Sequence, residues 1–215
     1  FMNTLIVGLI TSAGTVFLGA LAAYSFSRMR FTGRRFGLMS LMLLQMFPQM
    51  LGVVAIFLLL SGISDVVPWL GLGSQTGLIM VYLGGALGVN TYLMYGFFNT
   101  VPKSLDEAAR IDGASEFGTF NRIVIPMLKP AMAVQAIFSF VTSWNNYFQP
   151  ALILQTNTKK TLPILIAQLR AADWLKFDMG QVYVMITFSI LPVIVVYLIL
   201  SKHIVQGVAL GSVKG

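Results

Sequence analysis

Residues 100–129 read TVPKSLDEAARIDGASEFGTFNRIVIPMLK, from Thr100 to Lys129, and they form the most heavily charged stretch of an otherwise apolar chain. Asp106, Glu107, Asp112 and Glu116, four of the seven acidic residues, lie here. Ser104 followed three residues later by Glu107 has the pattern of a capping box, which predicts a helix beginning at Leu105. Asp106 and Glu107 then fall in its first turn, where the helix dipole favours acids. Leu105, Ala108, Ala109 and Ile111 give the helix an amphipathic surface with small residues at its centre. Gly113 predicts a left-handed end to it. A second short helix is predicted over about Ser115–Val124, with Phe117, Phe120, Ile123 and Val124 at helical spacing. Pro126 and Pro130 are expected to break the chain there and restart it as the next element. The product is a compact knob with a glycine bend, suited to a groove in a partner. An amphipathic loop lying on a membrane surface satisfies the same pattern.

Outward from this segment the chain is membrane-like. Of the 215 residues, 57% are hydrophobic and 10% charged, and mean hydropathy is +0.82. A soluble domain is about 45–50% apolar and about 25% charged, so a water-soluble globule is excluded. Five stretches contain no Asp, Glu, Lys or Arg: 1–27, 36–64, 66–102, 130–158 and 179–201. Each is long enough for a spanning helix, which needs roughly 20 mostly apolar residues. Helices are predicted near Asn3–Ser27, Phe36–Leu60, Gly77–Phe98, Pro130–Phe148 and Gln181–Ser201. Pro68, Gly71, Gly73 and Ser74 mark the front of the third run as a loop.

The basic residues give sidedness. Arg28, Arg30, Arg34 and Arg35 crowd the first connection, and Lys103, Arg110, Arg122 and Lys129 the third; Lys202 and Lys214 follow the last span. The second connection carries only Asp65. This alternation places the first and third connections and the C-terminus in the cytoplasm. The fourth connection, about Gln149–Gly180, carries Lys159, Lys160, Arg170 and Lys176 against Asp173 and Asp178, and runs against the rule. Longer external segments follow the rule less strictly, so the alternation is kept. A first span that begins outside, at Phe1 and without a basic leader, implies a preceding span that this chain lacks. The net charge of +7 then belongs to cytoplasmic loops, and no nucleic-acid partner is expected. With no cysteine there is no disulfide and no thiolate metal site.

Glu107-Ala108-Ala109, three residues, Gly113, nine residues, then Ile123, Ile125 and Pro126 resembles the Glu-Ala-Ala (EAA) signature of ABC importer permeases. The one departure is Ile125, where Leu is usual. Asn3-Thr4, Ala23-Tyr24, Phe31 with Gly33, Gln45-Met46-Phe47-Pro48 and the tail Gly207…Gly211-Ser212-Val213-Lys214-Gly215 extend the likeness over essentially the whole chain. Together they are similar to the smaller permease subunit of carbohydrate importers of the maltose-transporter type.

The resemblance implies an all-α polytopic membrane protein, a type I ABC importer transmembrane domain. It is a single permease domain over 1–215 with five spans of an expected six, in a bacterial inner membrane and lipid-embedded. It implies a second permease subunit, a cytoplasmic ATPase dimer and an extracytoplasmic solute-binding protein as partners, with a sugar as substrate. Glu107, Ala108, Ala109, Asp112 and Gly113 are the positions it assigns to ATPase docking, and the tail Gly211–Gly215 is a second candidate contact. No Gly-rich loop ending in Gly-Lys-Ser/Thr is present, so ATP-Mg is assigned to the partner ATPase and not to this chain. No catalytic, cofactor or metal residue is predicted. His203 reads as an interfacial residue.

Polar groups within spans are costly against lipid and generally face the bundle interior or a cavity. Gln45, Asn90, Tyr92, Trp144, Asn145 and Asn146 are therefore the substrate-path candidates, aromatic faces covering the C–H side of a sugar and amides bonding its hydroxyls. Trp144 equally fits an interfacial aromatic belt. In the connection 149–180, residues Ile164–Leu169 are predicted to dip back as a short helix, and the resemblance assigns this region to the solute-binding protein. Two rival readings stay open. One is an ABC importer permease for a non-sugar solute. The other is an ion-coupled secondary transporter, which needs an ionisable residue mid-span; the five charge-free runs oppose it.

Overall fold

The computed structural model describes residues 1–171 and 178–212. Among them every regular element is a helix. In chain order these are α1 (Met2–Arg28), α2 (Arg34–Met46), α3 (Gln49–Val66), α4 (Gln75–Thr100), α5 (Lys103–Ile111), α6 (Glu116–Thr119), α7 (Ile125–Asn145), α8 (Phe148–Ile153), α9 (Leu162–Arg170) and α10 (Met179–Ser212). A helix-only design follows from the solvent: with no water to satisfy backbone groups, the chain must close its hydrogen bonds within each segment.

Among the described residues four helices are long and apolar enough to cross a membrane: Met2–Arg28, Gln75–Thr100, Glu116–Asn145 and Met179–Ile204. The charge-free run 36–64 is not one helix. It is interrupted at Phe47-Pro48, and α2 with α3 makes a fifth span only if the broken pair is counted as one. Pro48 lacks the N–H that would continue α2, and it holds Phe47 in an extended conformation (ψ 128°). The opposite correction applies to the fourth span. Pro126 and Pro130 do not break the chain; α6, a π-helical turn over Phe120–Val124 and α7 run together as one helix, Glu116–Asn145. The π turn loosens the hydrogen-bond ladder just before Pro126, where a missing donor then costs least. Pro130 sits inside a span, where neighbouring groups can compensate the carbonyl it leaves free. The loop predicted before α4 stands as read: Ser74 Oγ accepts from Gly77 N at 2.9 Å and caps the helix, after Gly73 turns the chain at φ +79°.

The chain forms two compact units. One comprises residues 1–14, 48–85 and 137–198. Its core packs Val7, Leu60, Leu78, Ile79, Tyr82, Ile153, Leu154 and Ile164, with a second cluster of Phe140, Trp144 and Leu162. Here α9 confirms the short helix read at Ile164–Leu169, and α1 caps it. Thr4 Oγ1 accepts from Leu162 N at 2.7 Å, and Asn3 Nδ2 donates to the carbonyls of Thr158 (2.8 Å) and Lys160 (3.1 Å). Pro163 occupies the first turn, where it forfeits no intrahelical bond. Residues 172–177 of this connection lie outside the described residues.

The other unit comprises 15–47, 86–136 and 199–215. Its core gathers Ala20, Ala23, Tyr24, Met94, Phe98, Val101, Phe120, Val124, Leu128 and Ala131. Phe120 anchors it, with Tyr24 edge-on at 4.9 Å and Phe98 stacked at 6.5 Å between ring centroids. The π turn thus carries a core residue. Helix α10 continues through Gly211 and Ser212, and residues 213–215 of the predicted tail contact lie outside the described residues.

Candidate functional site

The segment Val101–Val124 is built on a two-residue elbow. Pro102 (φ −60°, ψ 133°) ends α4 and starts α5 at Lys103. The predicted capping box does not form: Ser104 lies inside the first turn and α5 has no side-chain cap. Proline already sets the entry angle, so the helix begins two residues early. The side-chain cap occurs instead at Ser115, whose Oγ accepts from Gly118 N at 3.1 Å and starts α6. Between the two helices Gly113 takes φ +79°. Its N–H bonds the Arg110 carbonyl (3.0 Å) and Ala114 N bonds the Ala109 carbonyl (2.9 Å), which together are a Schellman motif.

One face of α5 is locked inward. Asp106 and Ala109 are buried, 6% and 4% exposed. Asp106 Oδ2 lies 2.6 Å from Arg28 Nε at the last turn of α1, while the same guanidinium donates to the Val101 carbonyl at 2.8 Å. One turn earlier on α1, Tyr24 donates to Glu116 Oε2 at 3.1 Å, and Glu116 also pairs with Arg110 at 2.6 Å. Tyr24 and Arg28 are four apart and so share a helix face. The end of α1 therefore grips the elbow, the first turn of α5 and the start of α6 at once. Sequence reading missed Asp106 and Arg28 as a pair. Arg28 registers in sequence only as one basic residue among four, and nothing local names its partner.

The opposite face is open. Glu107, Ala108, Asp112 and Gly113 are exposed, beside Ile111 at 86% and Phe117 at 71% exposure. Of the five docking candidates the structure brings these four onto one outward surface. Ala109 is turned away from it and fills the inner face.

Of the six substrate-path candidates, Trp144, Asn145 and Asn146 belong to the first unit and Gln45, Asn90 and Tyr92 to the second. In the first unit Trp144 is 2% exposed, stacks on Phe140 at 5.4 Å and donates its indole N–H to the Ser189 carbonyl at 3.1 Å, so it is a core residue. Asn145 is exposed, and Asn146 bonds Gln149 through both amide ends, holding the turn into α8. In the second unit Gln45 lies across Gly88, where a Cβ would leave it no room. Tyr92 is 43% exposed. Asn90 borders Gly19 together with Gln135, an amide that is 6% exposed and has neither of its polar ends bonded among the described residues. Gln135 lacks any sequence signal beyond a lone amide in an apolar run. Among the described residues no group of three or more His, Asp or Glu is placed to hold a metal ion.

Comparison with known proteins agrees with this architecture. Residues 15–210 match the family described as binding-protein-dependent transport system inner membrane component. The galactooligosaccharides transport system permease protein GanQ of Bacillus subtilis is 35% identical over 219 residues, covering 100% of this chain and 74% of GanQ. The maltose/maltodextrin transport system permease protein MalG of Escherichia coli is 34% identical over 214 residues, 99% of this chain and 71% of MalG. Among solved structures, a bacterial ABC transporter involved in import of the acidic polysaccharide alginate superposes with a TM-score of 0.79 at 24% identity, over 94% of this chain and 73% of that one. The helical order, the outward Glu-Ala-Ala knob and these matches over nearly the whole of this chain lead to one conclusion: the chain belongs to the binding-protein-dependent inner membrane components, the multi-pass permease subunits of ABC importers.

Proposed function

We propose that this chain is one of two permease subunits of an ATP-driven sugar importer, and that it receives work from a cytoplasmic ATPase through α5 and the Gly113 turn. The observation that carries the docking assignment is the two-faced knob. Its inner face is fixed to α1 by the buried Arg28–Asp106 pair, and its outer face presents Ile111 and Phe117 among Glu107, Ala108, Asp112 and Gly113. Large apolar side chains left in water beside charges mark a partner surface. Ala108 permits close backbone approach, and Ala109 supports it from behind. ATP-Mg belongs to the ATPase; closure of that subunit would push the knob, and α1 with it, as a rigid body. The knob and the C-terminus then lie in the cytoplasm, and the connection 149–180 faces the solute-binding protein outside. A sugar substrate is supported by the relatives named for galactooligosaccharide and maltose/maltodextrin transport. Gln45, Asn90, Tyr92, Asn145 and Asn146 are the proposed path residues, joined by Gln135.

Reconstitution with the partner permease, ATPase and binding protein, followed by ATP-dependent uptake of a sugar panel, tests this reading. Uptake of at least one oligosaccharide is the expected result. An assembled complex that imports no sugar but does import another solute establishes the non-sugar alternative.

A further inference from the structure

The first connection holds a site that the transport reading does not use. Phe31, Gly33, Arg34, Arg35, Phe36, Leu38 and Tyr95 line a cleft of about 600 Å³ at the connection from α1 to α2. Arg34 is fixed in it: its guanidinium donates to the Tyr95 hydroxyl at 3.3 Å and lies 5.9 Å from the Tyr95 ring centroid. Arg35 is exposed. Neither has a carboxylate partner; the ion pairs of the described residues are Arg28–Asp106 and Arg110–Glu116. The walls on either side are apolar, with Phe31 at 46% and Phe36 at 76% exposure.

Helix α2 continues this two-part chemistry. It opens with the two arginines and has no buried residue along its length, and Met39, Leu43, Leu44 and Met46 are all at least half exposed. A ligand that satisfies the whole site has an anionic head for the guanidiniums and long hydrocarbon for the surface beyond them. A soluble phosphate meets only the first requirement, and a neutral lipid only the second. We infer that this cleft is a binding site for an anionic phospholipid, its phosphate held by Arg34 and Arg35 and its acyl chains laid along α2 from Phe36 to Met46. Basic clefts between helices at the membrane surface suit such headgroups, and the location supplies the ligand at high local concentration.

The test uses the assembled transporter in nanodiscs of phosphatidylcholine with or without about a third phosphatidylglycerol, released into detergent, with retained lipid counted by native mass spectrometry. The wild type is expected to retain phosphatidylglycerol over phosphatidylcholine. Retention should fall about fivefold in Arg35→Gln and about 25-fold in Arg34→Gln/Arg35→Gln, the weight of one and two basic groups at an anionic surface. Arg122→Gln, which removes an exposed charge elsewhere, should retain lipid as the wild type does. Arg35 makes no hydrogen bond or ion pair among the described residues, so Arg35→Gln keeps the test decisive if the double variant fails to assemble. Equal retention in Arg35→Gln and wild type overturns the inference. A further arm adds inorganic phosphate to phosphatidylcholine discs: phosphate adducts lost in Arg35→Gln, without any phosphatidylglycerol preference, would assign the cleft to a soluble anion and overturn the lipid.

Discussion

Arg28 Nε lies 2.6 Å from Asp106 Oδ2, and the two side chains are only 5% and 9% exposed. This pair joins the last turn of α1 to the first turn of α5. Neither Asp106 oxygen has a hydrogen-bond partner among the described residues, so the carboxylate depends on the adjacent Arg28 charge for its compensation. A buried charge left alone is far more costly than the pair is stabilising.

Asp106→Ala is therefore expected to destabilise the complex by about 3–5 kcal/mol, the range for breaking a buried pair from one side. Arg28→Met with Asp106→Leu, which removes both charges, should recover most of that loss. Thermal unfolding of the purified complex measures both. If the double variant is no more stable than Asp106→Ala, the pair is not what holds α5.

At Gly113 the cost is conformational rather than steric, since a Cβ there meets nothing within 4 Å. Gly113→Val forces a β-branched residue into φ +79° and should cost on the order of 1–2 kcal/mol locally. Gly113→Asn should cost much less, because Asn visits this region readily. Co-purification of the ATPase with each variant checks the ranking: the valine variant should lose ATPase, and the asparagine variant should keep it.

Trp144 distinguishes packing from substrate contact. Trp144→Phe loses the bond to the Ser189 carbonyl, worth roughly 1 kcal/mol. Trp144→Ala empties a core site, at about 3–5 kcal/mol. Neither change should alter the sugar concentration for half-maximal uptake. A large shift in that concentration for Trp144→Phe, at unchanged stability, would return the residue to the transport path.

The cap at α9 gives a local readout. Thr4→Val removes the acceptor for Leu162 N and should cost about 1 kcal/mol. Amide exchange at the start of α9 should rise accordingly, while exchange within α5, in the other unit, stays unchanged.

The apolar runs between charges located four of the five predicted spans as single helices, because lipid excludes ionised groups regardless of how the helices pack. The Gly113 turn was equally legible, since its requirement for positive φ is local. Sequence was least reliable where two local rules compete. At Ser104 the capping pattern lost to Pro102, and at Pro126 and Pro130 a π turn absorbed what proline disrupts elsewhere. Pro48, by contrast, did interrupt its helix. Tertiary contacts alone decided which face of each helix turns inward. Asp106 and Glu107 are adjacent acids in the same turn, yet one is buried on Arg28 and the other faces outward. Periodicity shows that a helix has two faces. The partner that selects between them comes from the far end of another span, and proximity of that kind exists only in the folded chain.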